Sequence, residues 1–226
     1  MRRILFLFLL AGCFPMEKEK EIPDYMVYGI MIAGKPVQHL VVDRIYEPAG
    51  APTGPFPQAD VRVIADTDTI VFEKQDTFYV NQSGNEWAQP LRKLSLEVII
   101  KEEPHETLRS TTLIPGPFSI ILPMDGDTVD STDVLILTPS DSSYFYIGFV
   151  YLIGDTVRNP PLIITDTIFP IFSYTSCFQH PGEYMIKVYA YPEEYYYFLV
   201  KERSNIENGF GVFSGCYEDS VRVYHP

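Results

Sequence analysis

From about Tyr25 to Gly116, apolar and polar residues alternate with the period of two that belongs to β-strands. In Leu94-Ser-Leu-Glu-Val-Ile-Ile100, the side chains of Leu94, Leu96, Val98 and Ile100 share one face, and Val61, Val63 and Ala65 do the same in Asp60-Val-Arg-Val-Ile-Ala-Asp66. Turn chemistry separates such runs at Ala33-Gly34-Lys35-Pro36, Glu73-Lys-Gln-Asp76 and Glu102-Glu-Pro-His105. Pro48, Pro52, Pro55 and Pro57 deprive the stretch from Glu47 to Gln58 of the donors a sheet interior needs, which predicts a loop. Only the stretch from Trp87 to Leu94 could hold a short helix, and Pro90 limits it. The pattern predicts an all-β sandwich of roughly seven strands over residues 25–116.

Residues 117–226 repeat the class without repeating the sequence. The segment Tyr144 to Ile153 is apolar on both faces, as a central strand packed on two sides would be. In Pro181-Gly-Glu-Tyr-Met-Ile-Lys-Val188, Tyr184 precedes Ile186 by two residues, the spacing of a tyrosine corner at the start of strand F, and Ser220 to Tyr224 reads as the closing strand. Phe118-Ser-Ile-Ile-Leu-Pro-Met-Asp-Gly-Asp-Thr-Val129 resembles the opening of bacterial immunoglobulin-like or fibronectin-type modules. The strand-C Trp and the paired cysteines of antibody domains are missing, so the resemblance is one of architecture. The fold class expected is all-β, with two consecutive antiparallel β-sandwich domains, the second immunoglobulin- or fibronectin-like.

The first thirteen residues follow a different pattern. Arg2 and Arg3 form a basic start, Ile4 to Leu10 an apolar run, and Ala11 and Gly12 a small-residue exit, the layout of a secretory signal. Leu10-Ala-Gly-Cys13 resembles the lipobox of bacterial lipoproteins, whose signal is cut before the cysteine and whose thiol is acylated. A membrane span would need about 20 apolar residues, whereas this run ends at Pro15 and is followed by Glu17-Lys-Glu-Lys-Glu21. Residues 1–12 are therefore expected to be a signal peptide, and 13–24 a lipidated cysteine with a charged tether. Cys13 would then hold the mature protein on a lipid bilayer, each buried methylene contributing about 0.8 kcal/mol. A charged run after a lipidated cysteine also resembles signals that sort lipoproteins to the cell surface, and Phe14 in place of Asp fits the outer membrane. The expected location is the cell envelope, as an outer-membrane lipoprotein facing either the periplasm or the surface.

Charge narrows the partners. The chain carries 17 basic and 30 acidic residues for a net charge of −13, and the first twelve residues hold two of the basic and none of the acidic ones. The mature surface is more acidic still and repels nucleic acid and anionic head groups, so no nucleic-acid partner is expected. With 16 Tyr, 15 Phe and 46% hydrophobic residues, the chain has ample material for packed cores. Once Cys13 is acylated, Cys177 and Cys216 remain. In an oxidising compartment they suggest a disulfide closing a loop of about 40 residues, contributing on the order of 4 kcal/mol. The alternative is two unpaired buried thiols.

Candidate chemistry is sparse. His39, His105, His180 and His225 are too far apart in sequence to place two imidazoles on one face as a zinc site does. Gly211-Val-Phe-Ser-Gly215 has its serine one place too late for a nucleophile elbow, and Cys177 and His180 point poorly at one another along a strand end. No enzymatic activity and no cofactor are expected. Asp125, Asp127, Asp130 and Asp133 cluster carboxylates as calcium loops do, but Val129 stands where the third oxygen ligand belongs and Asp130 where the glycine belongs. Turn formation is the favoured account and a weak calcium site the alternative; Asp-Thr before Ile or Val recurs at Asp68, Asp127, Asp155 and Asp166 as a turn leading into a strand. Tyr195, Tyr196 and Tyr197, within the run Tyr189 to Phe198, either pack on a sheet or form a ligand platform, since exposed aromatics stack on sugar faces and anchor interfaces.

Ser204-Asn-Ile-Glu-Asn-Gly-Phe-Gly-Val-Phe-Ser-Gly215 resembles a C-terminal motif of an uncharacterised family of two-domain outer-membrane lipoproteins of Gram-negative bacteria. The lipobox, Ala59-Asp-Val61 after the Pro-rich loop, Ser110 to Pro115, and the Tyr-rich segment match in order. The resemblance implies an N-terminal sandwich like the regulatory domain of carboxypeptidases, a C-terminal immunoglobulin-type sandwich, and service beside an outer-membrane transport protein. The function expected is a non-catalytic binding or accessory subunit, with a structural or adhesive surface-display module as the alternative.

Overall fold

The computed structural model describes residues 23–45, 56–81, 87–103, 105–130, 133–155, 160–170 and 178–226. The signal, Cys13, most of the tether, most of the Pro-rich loop and Cys177 lie outside the described residues.

The first sandwich is built from seven strands: β1 (Tyr25–Ile32), β2 (Gln38–Arg44), β3 (Ala59–Ala65), β4 (Asp68–Gln75), β5 (Phe78–Asn81), β6 (Lys93–Ile100) and β7 (Thr107–Leu113). Their spatial order is β1-β2-β5-β4-β3-β6-β7. β4 joins the two layers, pairing with β3 through Asp68 to Phe72 and with β5 through Glu73 to Gln75. The alternation is realised: Val61, Val63, Ala65, Leu94, Leu96, Val98 and Ile100 all point into one core with Tyr25, Val27, Leu40 and Trp87. Burying a side chain of this size contributes about 1.5–3 kcal/mol. The stretch from Trp87 to Leu94 forms turns and the start of β6 rather than a helix. Arg92 explains why. Its guanidinium donates to the carbonyls of Trp87 and Ala65 and pairs with Asp66 (2.8 Å) and Asp68 (3.1 Å), which pulls this segment onto the β3–β4 turn.

The second sandwich has β8 (Ile120–Leu122), β10 (Val134–Leu137) and β13 (Ile168–Pro170) in one sheet. The facing sheet holds β12 (Leu162–Ile164), β11 (Phe145–Leu152), β14 (Gly182–Tyr191) and the distal half of β15 (Phe210–His225), in that order. A short strand, β9 (Asp127–Thr128), runs parallel to the end of β15. This two-sheet order is that of an immunoglobulin-type sandwich, with β14 in the place of strand F. Tyr184 forms the corner the sequence suggested: its hydroxyl donates to the His180 carbonyl (2.9 Å) and accepts from the His180 amide (3.2 Å). β11 is flanked by β12 and β14, as a central strand should be.

The two sandwiches share a strand. β15 is 16 residues long; Phe210 to Cys216 pairs in parallel with β1, and Tyr217 to His225 pairs antiparallel with β14. Ile206 and Phe213 consequently lie in the core of the first sandwich. β15 thus reaches from the second sandwich into the first, and its pairings with β1 and β9 are parallel within sheets that are otherwise antiparallel. The one helix among the described residues, α1 (Glu193–Lys201), lies in the Tyr-rich segment after β14.

Candidate functional site

The Gly-rich motif is the seam between the sandwiches. Asn205 clamps β15, its amide nitrogen donating to the Phe213 carbonyl (2.7 Å) and its side-chain oxygen accepting from the Phe213 amide (3.0 Å). Gly211 has φ +113, and a Cβ there would lie 1.9 Å from the Val27 carbonyl oxygen on β1, so only glycine lets the two strands pair. The other motif of the resemblance, Ser110 to Pro115, docks on the same segment. Ser110 Oγ donates to the Asn205 carbonyl, Thr112 Oγ1 accepts from the Gly215 amide, and Arg109 and Glu207 form a backbone bridge. Two motifs about a hundred residues apart are one structural joint.

Above this joint, on the sheet face opposite both cores, lies a third apolar cluster. Phe145 and Ile147 of β11, Tyr191 of β14, Val212 and Cys216 of β15 and Tyr195 of α1 are buried together, with Ile30 and Ile32 of β1 beside them. Helix α1 covers the cluster. Pro192 stands at its N-cap, Glu193 and Glu194 in its first turn and Lys201 in its last, each suited to the helix dipole, and Glu202 closes it in the left-handed conformation. The Pro-Glu-Glu start was the sequence signal for a helix where tyrosine content alone suggested sheet packing.

Helical spacing separates the three candidate tyrosines. Tyr195 turns inward: it is buried, stacks on Tyr191 (centroids 4.3 Å, 25°) and on Phe145 (6.2 Å), and its hydroxyl meets that of Tyr28 at 3.1 Å. It is therefore a core residue and offers no ligand-facing ring. Burial pushes the phenol pKa values of Tyr191 and Tyr195 far above the ordinary value. Tyr196 and Tyr197 are half-buried and turn toward Tyr144, which the sequence did not single out. Tyr144 is 49% exposed, 5.0 Å from Tyr196 and 6.3 Å from Tyr197, whose plane lies 33° from its own. The Arg203 guanidinium sits 5.8 Å from the centre of the Tyr197 ring, and a hydrogen bond to Glu193 raises the Tyr197 phenol. These three rings, bordered by one carboxylate and one guanidinium, form an aromatic shelf on a rigid base.

The remaining candidates are dispersed. Cys216 is a free, fully buried thiol whose pKa burial drives upward, while Cys177 lies outside the described residues. Asp127 accepts from the Met124 amide and Asp133 from the Asp130 amide, which is turn capping, whereas Asp125 accepts from the Arg222 amide and ties its turn to β15. Among the described residues no group of three His, Cys, Asp or Glu side chains is placed to hold a metal ion. His39 packs edge-on against Phe78, His105 pairs with Glu103, the His180 backbone receives the tyrosine corner, and His225 bonds the Val129 carbonyl. A polar cleft of about 720 Å³ opens beside Asp24, His105, Glu106, Thr107 and Asn208, and burial followed by the charge of Asp24 raises the Glu106 carboxyl pKa. Among the described residues no helix is long and apolar enough to cross a membrane.

No family model matches the chain, and no curated protein matches it. Among solved structures, the FN1–FN3 domains of chicken CNTN1 align with 12% identity and a TM-score of 0.27, over 90% of this chain and 66% of that one. Trypsin-activated alpha-2-macroglobulin from Escherichia coli aligns with 7% identity and a TM-score of 0.26, over 90% of this chain and 16% of that one. The immunoglobulin-type assignment stands on this chain's own strand order and tyrosine corner.

Proposed function

We propose that this chain is a non-catalytic lipoprotein of the outer membrane, held through an acylated Cys13, that acts as a binding or accessory subunit beside an outer-membrane transport protein. The observation that carries the binding role is the aromatic shelf of Tyr144, Tyr196 and Tyr197, presented on two sandwiches that share strand β15. Exposed aromatics on a rigid base suit recognition, because their large contact area is available without further ordering cost. The lipobox, the charged tether and the acidic surface support the envelope location. The experiment is to tag the C-terminus in the native host, solubilise the envelope in mild detergent and identify what co-purifies. A stoichiometric outer-membrane barrel is expected; a lipidated protein that emerges alone refutes the accessory role.

A second reading, an adhesive or structural display module, is favoured by one feature. Leu122, Ile136 and Ile168 lie in cross-strand register on β8, β10 and β13, and Leu122 and Ile168 are exposed. An apolar row on an outer sheet face suits attachment to another surface.

A further inference from the structure

We infer that the shelf formed by Tyr144, Tyr196 and Tyr197 is a binding site for a neutral glycan, with a pyranose face stacked on the ring of Tyr144 and its hydroxyls turned toward Tyr197, Glu193 and Arg203. The inference rests on the binding reading above and names the ligand class of that site.

The shelf is rigid and exposed at once. Tyr144 follows a turn fixed at several points: the Ser140 amide donates to the Tyr146 hydroxyl, Ser140 Oγ donates to the Gly116 carbonyl, and the Tyr144 amide donates to the Tyr191 carbonyl. Tyr196 is braced edge-on against the buried Phe145. Helix α1, which carries Tyr196 and Tyr197, is pinned from below by Tyr195 and by the hydrogen bond from Thr112 to Glu194. A ring held this firmly yet 49% exposed keeps an open surface that is suited to a ligand with an apolar side.

The polar border selects the ligand's charge. Glu193 bonds the Tyr197 hydroxyl and Arg203 lies over the Tyr197 ring, so one carboxylate and one guanidinium border the shelf. Arg203 lies over the Tyr197 face, which leaves Tyr144 as the open ring and sets a positive charge in the way of a cationic ligand, and a polyanion would approach a chain with a net charge of −13. What fits is an uncharged molecule with an apolar face and a rim of hydroxyls that donate to Glu193 and accept from Arg203 and the tyrosine hydroxyls. A pyranose has that form, its face covering Tyr144 and its hydroxyls reaching the border at Tyr197.

The test uses the full mature chain in native affinity electrophoresis, in gels containing starch, mannan, xylan or mixed-linkage β-glucan, with polygalacturonate as the anionic control. Retardation is expected in at least one neutral gel and not in polygalacturonate. Tyr144→Ala and Tyr197→Ala should each weaken it about tenfold or more, which corresponds to about 1.4 kcal/mol. Tyr144→Phe, which keeps the ring face, should retain the affinity within about threefold, a loss of no more than about 0.7 kcal/mol. Circular dichroism of all three variants should match the parent, and their melting temperatures should stay within about 6 °C of it, the loss of one ring pair being worth about 0.5–1.5 kcal/mol. No retardation in any neutral gel overturns the inference, as does retardation that both alanine variants leave unchanged. The co-purification experiment reads a protein partner instead, so a barrel partner found without glycan retardation removes the glycan site alone.

Discussion

Replacing Gly211 by alanine tests the seam between the sandwiches at its tightest point. Two separate costs arise. A side chain at φ +113 is strained, which costs about 1–3 kcal/mol. The new Cβ would also stand 1.9 Å from the Val27 carbonyl oxygen, and 2.9 Å from its carbon, across the parallel β1–β15 pairing. Because the obstacle is backbone, relief requires the strands to part, at about 1–3 kcal/mol in a packed region. The two together come to about 4 kcal/mol, which at this chain length lowers the melting temperature by about 8–16 °C. Gly34→Ala is the matched control: Gly34 has φ +70 and nothing within 4 Å of where the alanine methyl would stand, so strain alone acts. That variant should lose about 1–2 kcal/mol, or about 2–8 °C. The assay is thermal and urea unfolding of both variants side by side. Equal losses would refute the reasoning, because they would show that β1 and β15 do not approach as closely as the shared strand demands.

Other expectations follow from single side chains. Glu194 is largely buried against Thr112, and burial raises its carboxyl pKa above the ordinary value. The folded chain therefore holds this proton more tightly than the unfolded chain, and the resulting stability is present below the unfolded pKa and lost as pH rises through the folded one. Glu194→Gln should consequently gain in melting temperature relative to the parent as pH rises through that window, and a difference independent of pH between about 4 and 8 would contradict the burial. Tyr184→Phe removes the hydroxyl that bonds both backbone groups of His180 and should lower stability by about 1–2 kcal/mol, read from the urea midpoint. Arg92→Ala strips the turns at 66–68 and 87–92 of their common tie and leaves two backbone carbonyls without this donor. It should cost about 2–4 kcal/mol, whereas Asp66→Asn, at an exposed partner, should stay within about 1 kcal/mol.

The local parts of this fold were legible because strand alternation is local. Leu94, Leu96, Val98 and Ile100 announced their face, and so did Val61, Val63 and Ala65, because a period of two has one solution once one side is buried. Tyr184 was legible for the same reason, since its corner closes within four residues. What the chain hid was non-local. Nothing around Phe210 states that one half of β15 will pair in parallel with a strand some 180 residues earlier while the other half continues a hairpin. The glycines of that motif were visible, but their reason lies in Val27 and Ile114. The same holds for Ser110 and Thr112, whose partners Asn205 and Gly215 are distant in sequence. Of the candidate site, Tyr196 and Tyr197 could be named from the run of aromatics. Tyr195 does not belong with them, because a helical period turns every third or fourth ring of such a run inward. Tyr144 joins the site only through the packing of α1 on β11, whereas Glu193 and Arg203 join it through the helix itself and the turn that ends it.

The central claim is that a shared β15 makes the two sandwiches a single cooperative body that carries the shelf. Trp87, the chain's one tryptophan, is buried in the first core and packs edge-on against Phe72, so its fluorescence reports the first sandwich alone. Hydrogen exchange at the amides of β11 and β14 reports the second. Measured along one urea series, the two should give the same midpoint and the same dependence on denaturant, as a two-state unit requires. A tryptophan transition separated from the loss of protection in β11 and β14 would contradict the account, because it would mean that the sandwiches unfold independently and that β15 does not couple them.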